Sequence, residues 1–120
     1  MADVFHDVIT KLVSEVPGVT GAAFTDLDGE EIAIHPKARR EELRLCAAYQ
    51  GIALRRLAAA ELKSGRGAMR SLTVHGAEGT VVTLKVGDQY QLLIQATATT
   101  WPIRVLSAAR RAAEVLEENI

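Results

Sequence analysis

The chain has 120 residues, of which 48% are hydrophobic, 24% charged and 4% aromatic. This length and composition are typical of one globular domain with an aliphatic core, and they exclude a disordered or fibrous protein. The net charge of −1 conceals an uneven distribution, because residues 1–36 hold seven acidic side chains and one basic, whereas residues 37–70 hold nine basic and three acidic. So few aromatic residues argue against a stacking platform for single-stranded nucleic acid. The basic middle third therefore needs another explanation.

The cysteine content and the N-terminus both indicate an intracellular protein. Cys46 is the only cysteine, so no intramolecular disulfide framework exists. The first residues lack the basic-then-apolar order of a signal peptide, and no apolar run reaches the length of about 18 residues that spans a bilayer. We therefore expect a soluble, cytoplasmic protein with a single domain over residues 1–120 and no membrane span.

The first third of the chain predicts a helix followed by a β-hairpin. Apolar residues recur at helical spacing over residues 4–16, and Pro17-Gly18 ends that helix. Residues 19–27 and 31–35 then have the composition of two strands, and Asp28-Gly29 between them is typical of a tight turn.

The rest of the chain predicts a long helix, a meander of three strands and a last helix. Residues 38–63 are rich in Ala and contain no Pro, which favours a helix. Alternating residues over 69–75, 80–86 and 89–97, separated by Gly-containing turns, predict an antiparallel meander. Thr100 is a candidate N-cap for a final helix, with Pro102 suited to its first turn.

The long helix has two opposed apolar stripes. A helix packed on its own domain needs one stripe, so the second indicates burial against another subunit or, alternatively, a helix deep in the monomer. We favour the other subunit, because a chain this short has few segments left to cover the helix. One stripe comprises Leu43, Cys46, Ala47, Gln50, Leu54 and Leu57, and the other comprises Leu45, Ala48, Tyr49, Ile52 and Ala59.

The residues that carry chemistry do not form a recognisable active site. His6, His35 and His75 lie on three different predicted elements without a second ligand at metal spacing. Cys46 falls on an apolar helix stripe, as a small buried hydrophobe does. Asp26 and Asp28 are explained by turn chemistry. No phosphate-binding loop, nucleophile elbow or paired carboxylates appear, so we expect a protein that is not an enzyme and has no metal or cofactor.

The basic segment from Lys37 to Arg70 leaves three interpretations open. The first is a solvated face without a partner. The second is an acidic protein partner, whose association such a patch would steer. The third, a nucleic-acid interface, is disfavoured because the chain is neutral overall and lacks aromatic residues between the basic ones.

The order of elements and several local sequences together resemble the roadblock/dynein light chain family. The resemblance rests on the stretch from Val16 to Ile34: the helix end Pro17-Gly18-Val19, the small-residue strand Gly21-Ala22-Ala23-Phe24, the turn Asp26-Leu27-Asp28-Gly29, and a second strand. It continues through the Ala/Leu-rich helix, the meander and the last helix, and is greatest to bacterial members, including those of gliding-motility polarity systems.

This resemblance implies a layered α/β, profilin-like fold of order α-β-β-α-β-β-β-α with one five-stranded antiparallel sheet. The second helix is expected on one face of the sheet, and the first and last helices on the other. It also implies a homodimer or heterodimer formed through the second helix and third strand, which correspond here to residues 41–62 and 69–74. Family members are non-enzymatic platforms that bind Ras-like small GTPases or paralogous roadblock proteins.

From these observations we predict a dimeric scaffold that binds a Ras-like small GTPase complex or a paralogous roadblock protein in bacterial cell polarity or motility control. The stripe containing Leu43 is predicted as the dimer seam, with Gln50 at its centre, and the opposite stripe is expected to pack on the sheet. The predicted seam comprises Leu43, Ala47, Gln50, Leu54, Leu57, Met69 and Ser71. The predicted partner-binding residues are Arg44, Arg55 and Arg56.

The alternative function is a partner that directly stimulates GTP hydrolysis. An arginine supplied in trans can stabilise the charge that develops during phosphoryl transfer, and Arg66, between two glycines, is the candidate. Activating relatives of the gliding-motility type often extend beyond the last helix, whereas this chain ends at Ile120, so we expect binding rather than activation.

Overall fold

A computed structural model describes residues 3–120 and contains the predicted order of elements. Three helices and five strands follow the α-β-β-α-β-β-β-α order, with a short 3-10 turn before the second helix. The elements are α1 (Val4–Glu15), β1 (Val19–Asp26), β2 (Glu31–His35), the 3-10 turn (Lys37–Arg39), α2 (Arg40–Leu62), β3 (Ser71–His75), β4 (Gly79–Val86), β5 (Tyr90–Thr97) and α3 (Pro102–Glu118).

The five strands form one antiparallel sheet in the order β2-β1-β5-β4-β3. Ala23 of β1 pairs with Leu93 of β5, and Leu93 pairs in turn with Thr83 of β4. Because side chains alternate across a strand, paired residues share one face of the sheet. The register therefore divides the strand residues into two sets, and β2 and β3 form the two edges.

Helices cover the two faces of the sheet unequally. Helices α1 and α3 pack on the face that presents Phe24 of β1 and Ile94 of β5, and all of these elements join one large buried cluster. Helix α2 packs alone on the opposite face, against Ala23, Ile34 and Leu93. This arrangement is the one that the family resemblance implied.

Short-range hydrogen bonds explain why several elements begin and turn where they do. Asp3 caps α1, since its Oδ1 accepts from the Phe5 backbone N–H at 3.0 Å. Asp26 Oδ1 accepts from the backbone N–H groups of Asp28 and Glu30, both at 2.9 Å, which confirms turn chemistry at the β1–β2 hairpin.

Helix α3 begins one residue later than its predicted cap implies. Trp101, without a side-chain hydrogen bond, occupies the N-cap position, and Pro102 is the first helical residue. The prediction of Thr100 as N-cap is wrong, because its hydroxyl is 2.7 Å from the Thr97 hydroxyl and takes part in the preceding turn.

Within residues 3–120, no helix has both the length and the apolar character needed to cross a membrane.

A candidate association surface on α2 and β3

The stripe of α2 that was predicted as the dimer seam packs on the chain's own sheet. Leu43, Ala47 and Leu54 are buried, and the first two belong to the cluster with Ala23 and Leu93. Gln50 is half-buried and faces β4, where its Oε1 accepts from the Thr83 hydroxyl at 3.4 Å. The assignment of Leu43, Ala47 and Leu54 to a subunit seam is therefore wrong, because the chain itself already buries them, whereas the place of the half-buried Gln50 in an interface stays a prediction.

Small residues on this stripe explain why it is the one that faces the sheet. A Cβ placed on Gly51 would lie 2.6 Å from the Leu27 carbonyl oxygen and 3.1 Å from Gln91 Oε1, so only glycine permits this approach. The buried Gln91 also holds the helix, because its Nε2 donates to the Ala47 carbonyl at 2.8 Å. A glycine inside an apolar helical stripe was the sequence signal that marks the closely packed side.

The opposite stripe of α2, which was expected to pack on the sheet, is exposed. Leu45 is 59% exposed, Tyr49 67% and Ile52 42%. The expectation is wrong for these residues, and so is the alternative of a helix deep in the monomer. Large apolar side chains aligned on one helix face and open to solvent are typical of an interaction surface.

The remaining residues of the predicted seam stay accessible at the edge of the sheet. Leu57 is exposed, Met69 is half-buried just before β3, and Ser71 is the half-buried first residue of β3. None of these three is buried by the chain itself, so their place in an interface stays a prediction.

Strand β3 presents unpaired backbone groups along its outer side. The Gly76 N–H donates to the Gly79 carbonyl at 2.8 Å, and the Lys85 N–H donates to the Arg70 carbonyl at 3.3 Å. Bonded and non-bonded pairs alternate in an antiparallel ladder, so the backbone groups of Ser71, Thr73 and His75 point away from β4. Such an edge is ready to pair with another strand.

The sheet next to this edge is incompletely covered on the α2 face. Leu72 and Val74 of β3 and Val81 of β4 lie on that face, and Val74 is 44% exposed while the other two are half-buried. We define the α2–β3 surface as the exposed α2 stripe together with this uncovered part of the sheet and its open edge. It comprises Leu45, Tyr49, Ile52, Leu57, Leu72, Val74 and the outer backbone of β3.

Intrachain ion pairs engage two of the three arginines predicted to face a partner. Arg44 Nη2 lies 3.2 Å from Glu41 Oε2, and Arg55 Nη1 lies 3.3 Å from Asp28 Oδ1. Arg56 is exposed and enters no ion pair among the described residues. The Arg55–Asp28 contact also shows that part of the basic middle third is neutralised by the acidic first third.

Further charge pairs flank both ends of α2. Arg39 Nη2 donates to Glu42 Oε1 at 2.7 Å, while its Nη1 donates to the Thr20 carbonyl at 3.1 Å. The hydrogen bond and charge of Arg39 lower the pKa of Glu42. At the other end, Arg66 donates through Nε and Nη2 to Glu61 Oε2, and this contact lowers the pKa of Glu61.

The structure brings His6 and His35 close together, whereas His75 lies at the opposite edge of the sheet. Cys46 is half-buried, and this burial raises the pKa of its thiol, as expected for a packed rather than a reactive cysteine. The His6 and His35 rings have centroids 6.2 Å apart, and His75 Nδ1 is 2.7 Å from the Thr80 hydroxyl. Over the described part of the chain, no three His, Cys, Asp or Glu side chains are grouped to hold a metal ion.

Comparison with solved structures identifies the fold. The chain superposes on the Roadblock/LC7 domain from Streptomyces avermitilis with a TM-score of 0.84, at 17% identity and 95% coverage of each chain. The gliding protein MglB from Thermus thermophilus gives 0.81 at 15% identity, covering 98% of this chain and 92% of that one. An MglB in a tetrameric arrangement gives 0.81 at 16% identity, covering 98% and 91%.

These likenesses confirm the fold class expected from the sequence, the roadblock/profilin-like α/β fold with one five-stranded antiparallel sheet. No protein-family model matches the sequence, and no curated protein matches it.

Proposed function

We propose that this chain is a non-enzymatic roadblock-family scaffold that acts as a homodimer. In this role it binds a Ras-like small GTPase complex, or a paralogous roadblock protein, to control bacterial cell polarity or motility from the cytoplasm. Its mechanism is surface complementarity without bond-making chemistry. Structural likeness to a gliding protein supports the cellular context, and the single unpaired Cys46 supports the compartment.

The observation that carries the proposal is the α2–β3 surface. Strand β3 has an open edge, and α2, which packs on one face of the same sheet, carries an apolar stripe that the chain's own elements leave uncovered. A second copy related by a two-fold axis can pair its β3 with this β3 and pack its α2 stripe against this one. Such pairing would satisfy the outer backbone groups of β3 and remove Leu45, Tyr49 and Ile52 from water.

This arrangement replaces the predicted seam with the opposite side of the helix. The proposed helix–helix contact is centred on Tyr49 and Ile52, with Leu57 at its margin and Met69 and Ser71 at the strand–strand contact. Arg44, Arg55 and Arg56 would then lie at the rim, where charges steer association more than they hold a complex. Of these, Arg56 forms no ion pair within residues 3–120, so it can meet a partner without first breaking one.

Direct stimulation of GTP hydrolysis is the less supported function. An arginine acting in trans must extend to the phosphates. The Nε and Nη2 groups of Arg66 instead donate to Glu61 Oε2 of the same chain, at 2.9 and 2.6 Å. Single-turnover hydrolysis by a bacterial Ras-like GTPase should therefore be the same with and without the chain. A rise of about 10³-fold that is lost in Arg66→Ala would show activation instead.

The decisive experiment measures mass in solution at micromolar concentration by light scattering. The unaltered chain should have the mass of a dimer, and Ile52→Arg should have that of a monomer, because the substitution places a charge at the centre of the apolar contact. Ile103→Arg is the matched control, since Ile103 is also an exposed isoleucine on a helix but lies on the other side of the sheet. A dimer that survives Ile52→Arg and Tyr49→Glu would contradict the proposal.

A further inference from the structure

A groove runs between α1 and α3, on the side of the sheet opposite the α2–β3 surface. A cleft of about 360 Å³ is lined by Val8 and Leu12 of α1 and by Ala108, Ala112 and Val115 of α3. A second cleft of similar volume extends it toward Pro17 and Ile103, and the two share Glu15, Val16, Ala108 and Arg111. The end of α1 lies beside the start of α3, so the helices run antiparallel and bound one continuous groove.

The floor of this groove is apolar and recessed because α3 contributes alanines where it faces α1. Ala108 and Ala112 are too small to fill the space beside Leu12, so a hollow with a largely buried floor remains between the helices. Ile103 at one end is 65% exposed and Val115 at the other end is also exposed. A concave apolar strip between two helices is the geometry into which an amphipathic helix docks.

The rims of the groove carry more positive than negative charge. Lys11, Arg104 and Arg111 line it together with one acid, Glu15. None of the four belongs to an ion pair within residues 3–120, whereas Arg39, Arg40, Arg44, Arg55 and Arg66 around α2 all do. These rim cations are therefore available to a partner without first breaking an ion pair within the chain.

We propose that the α1–α3 groove is a second docking site, and that it takes an acidic amphipathic helix from another protein. The apolar face of that helix would lie on Leu12, Ala108 and Ala112, with its carboxylates toward Lys11 and Arg111. The twelve residues of α1 extend about 18 Å, so the groove accommodates about three turns of helix. A second copy of this chain is the poorer occupant, because it would bring like-charged rims together.

This site goes beyond the proposed scaffold function, since it lies on the face that the dimer does not use. A dimer would then present two such grooves, one on each protomer, while its α2 helices face each other. The chain could thereby tether an acidic partner on one side of the sheet while it assembles through the other.

Two fluorescein-labelled probe peptides of about 14 residues test the proposal. Both carry Leu at alternating three- and four-residue spacing, one with Glu and the other with Lys at the polar positions. Fluorescence anisotropy should show the Glu peptide binding at least about fivefold more tightly than the Lys peptide. The double charge reversal Lys11→Glu/Arg111→Glu should invert this preference, and both sites are exposed, so folding should be retained.

The matched control reverses Lys37 and Lys63, two exposed lysines just outside the ends of α2, which should leave both peptide affinities unchanged. Repeating the titration with Ile52→Arg separates this site from the proposed dimer, because peptide binding should persist whether or not that variant is monomeric. Equal affinity for the two peptides, binding of neither, or insensitivity to the charge reversal would each overturn the docking site. A change of mass in the charge-reversed variant would overturn it in favour of self-association through this groove.

Discussion

The two faces of the sheet differ in how completely the chain covers them. On the face under α1 and α3, seventeen of the described residues form one buried cluster around Phe24 and Ile94. On the face under α2, the buried cluster has five, and the sheet beyond Thr83 toward β3 is only partly covered. The chain's own helices therefore cover the first face fully, which we call the covered face, and leave part of the second exposed, which we call the partly covered face.

This difference separates the apolar surface that the domain buries alone from the apolar surface that it leaves exposed. Burial of the Phe24 cluster supplies most of the apolar stabilisation within the monomer, because each large side chain buried there contributes about 1.5–3 kcal/mol. The α2 face leaves comparable side chains, such as Tyr49 and Leu45, in water. Under the proposed dimer these side chains are buried only on assembly. Mutations on the Phe24 face should therefore change the stability of the monomer, whereas mutations on the α2 stripe should change self-association.

The largest expected effect is the loss of protein stability caused by a mutation on the covered face. Phe24→Ala should lower the free energy of unfolding by about 3–5 kcal/mol, because it removes a fully buried ring that contacts Phe5 and Tyr90. Urea titration at low protein concentration measures this free energy of unfolding. Leu45→Ala, at an exposed site, is the control and should change the free energy of unfolding by less than about 0.5 kcal/mol. Similar losses in both variants would erase the distinction between the faces.

A second prediction concerns the close approach of α2 to the sheet. Gly51→Ala should destabilise the chain by about 1–3 kcal/mol, because the new methyl would overlap the Leu27 carbonyl, although alanine favours helix. The matched variant Ala60→Gly, at an exposed site of the same helix, should destabilise by about 1 kcal/mol for the opposite reason, which is loss of helix propensity. A stabilised Gly51→Ala protein would mean that α2 packs more loosely than described.

A third prediction concerns the partly covered face and how the thermal stability depends on protein concentration. If α2 stripes bury each other in a dimer, each tenfold rise in protein concentration should add about 1.4 kcal/mol per mole of dimer, or about 0.7 kcal/mol per chain, to the apparent stability, seen as a rising Tm in calorimetry. In Ile52→Arg the Tm should not depend on concentration. A concentration-independent Tm in the unaltered chain would contradict dimer-coupled folding.

The smallest expected effect is a pH dependence at the start of α2. Since Arg39 lowers the folded-state pKa of Glu42, the pair stabilises the protein above the ordinary carboxyl range, and that contribution is lost as the pH falls through the lowered pKa. Urea midpoints measured between about pH 6 and pH 3 should therefore fall slightly less in Glu42→Gln than in the unaltered chain. Identical pH profiles would show that this exposed pair contributes nothing measurable.

The order of elements was predictable from the sequence because turns and periodicity are local. Pro17-Gly18, Asp28-Gly29 and the alternation within the meander each depend on a few neighbouring residues, and the structure places its elements accordingly. The family resemblance rests on the same local features, and the structure confirms the fold class that it implied.

The side of α2 that faces the sheet was not predictable from the periodicity of the helix alone. A helical repeat separates the Leu43 side from the Tyr49 side but does not say which side meets the sheet, since both are apolar. The discriminating feature was Gly51, whose role depends on the distant Leu27 and Gln91. The ion pairs Arg55–Asp28 and Arg40–Glu31 were missed for the same reason, because they join residues that only the fold brings together.

The open edge of β3 has a consequence for how variants of this protein will behave when they are produced. Isolated strand edges are usually protected from aggregation by an inward charge, a lysine or a proline, and Ser71–His75 contains none of these. Under the proposed assembly, the partner strand supplies that protection instead. Substitutions on the exposed α2 stripe should therefore lower soluble yield while leaving the monomer fold intact. A mutational screen scored on yield would then group Tyr49 and Ile52 with core residues such as Phe24.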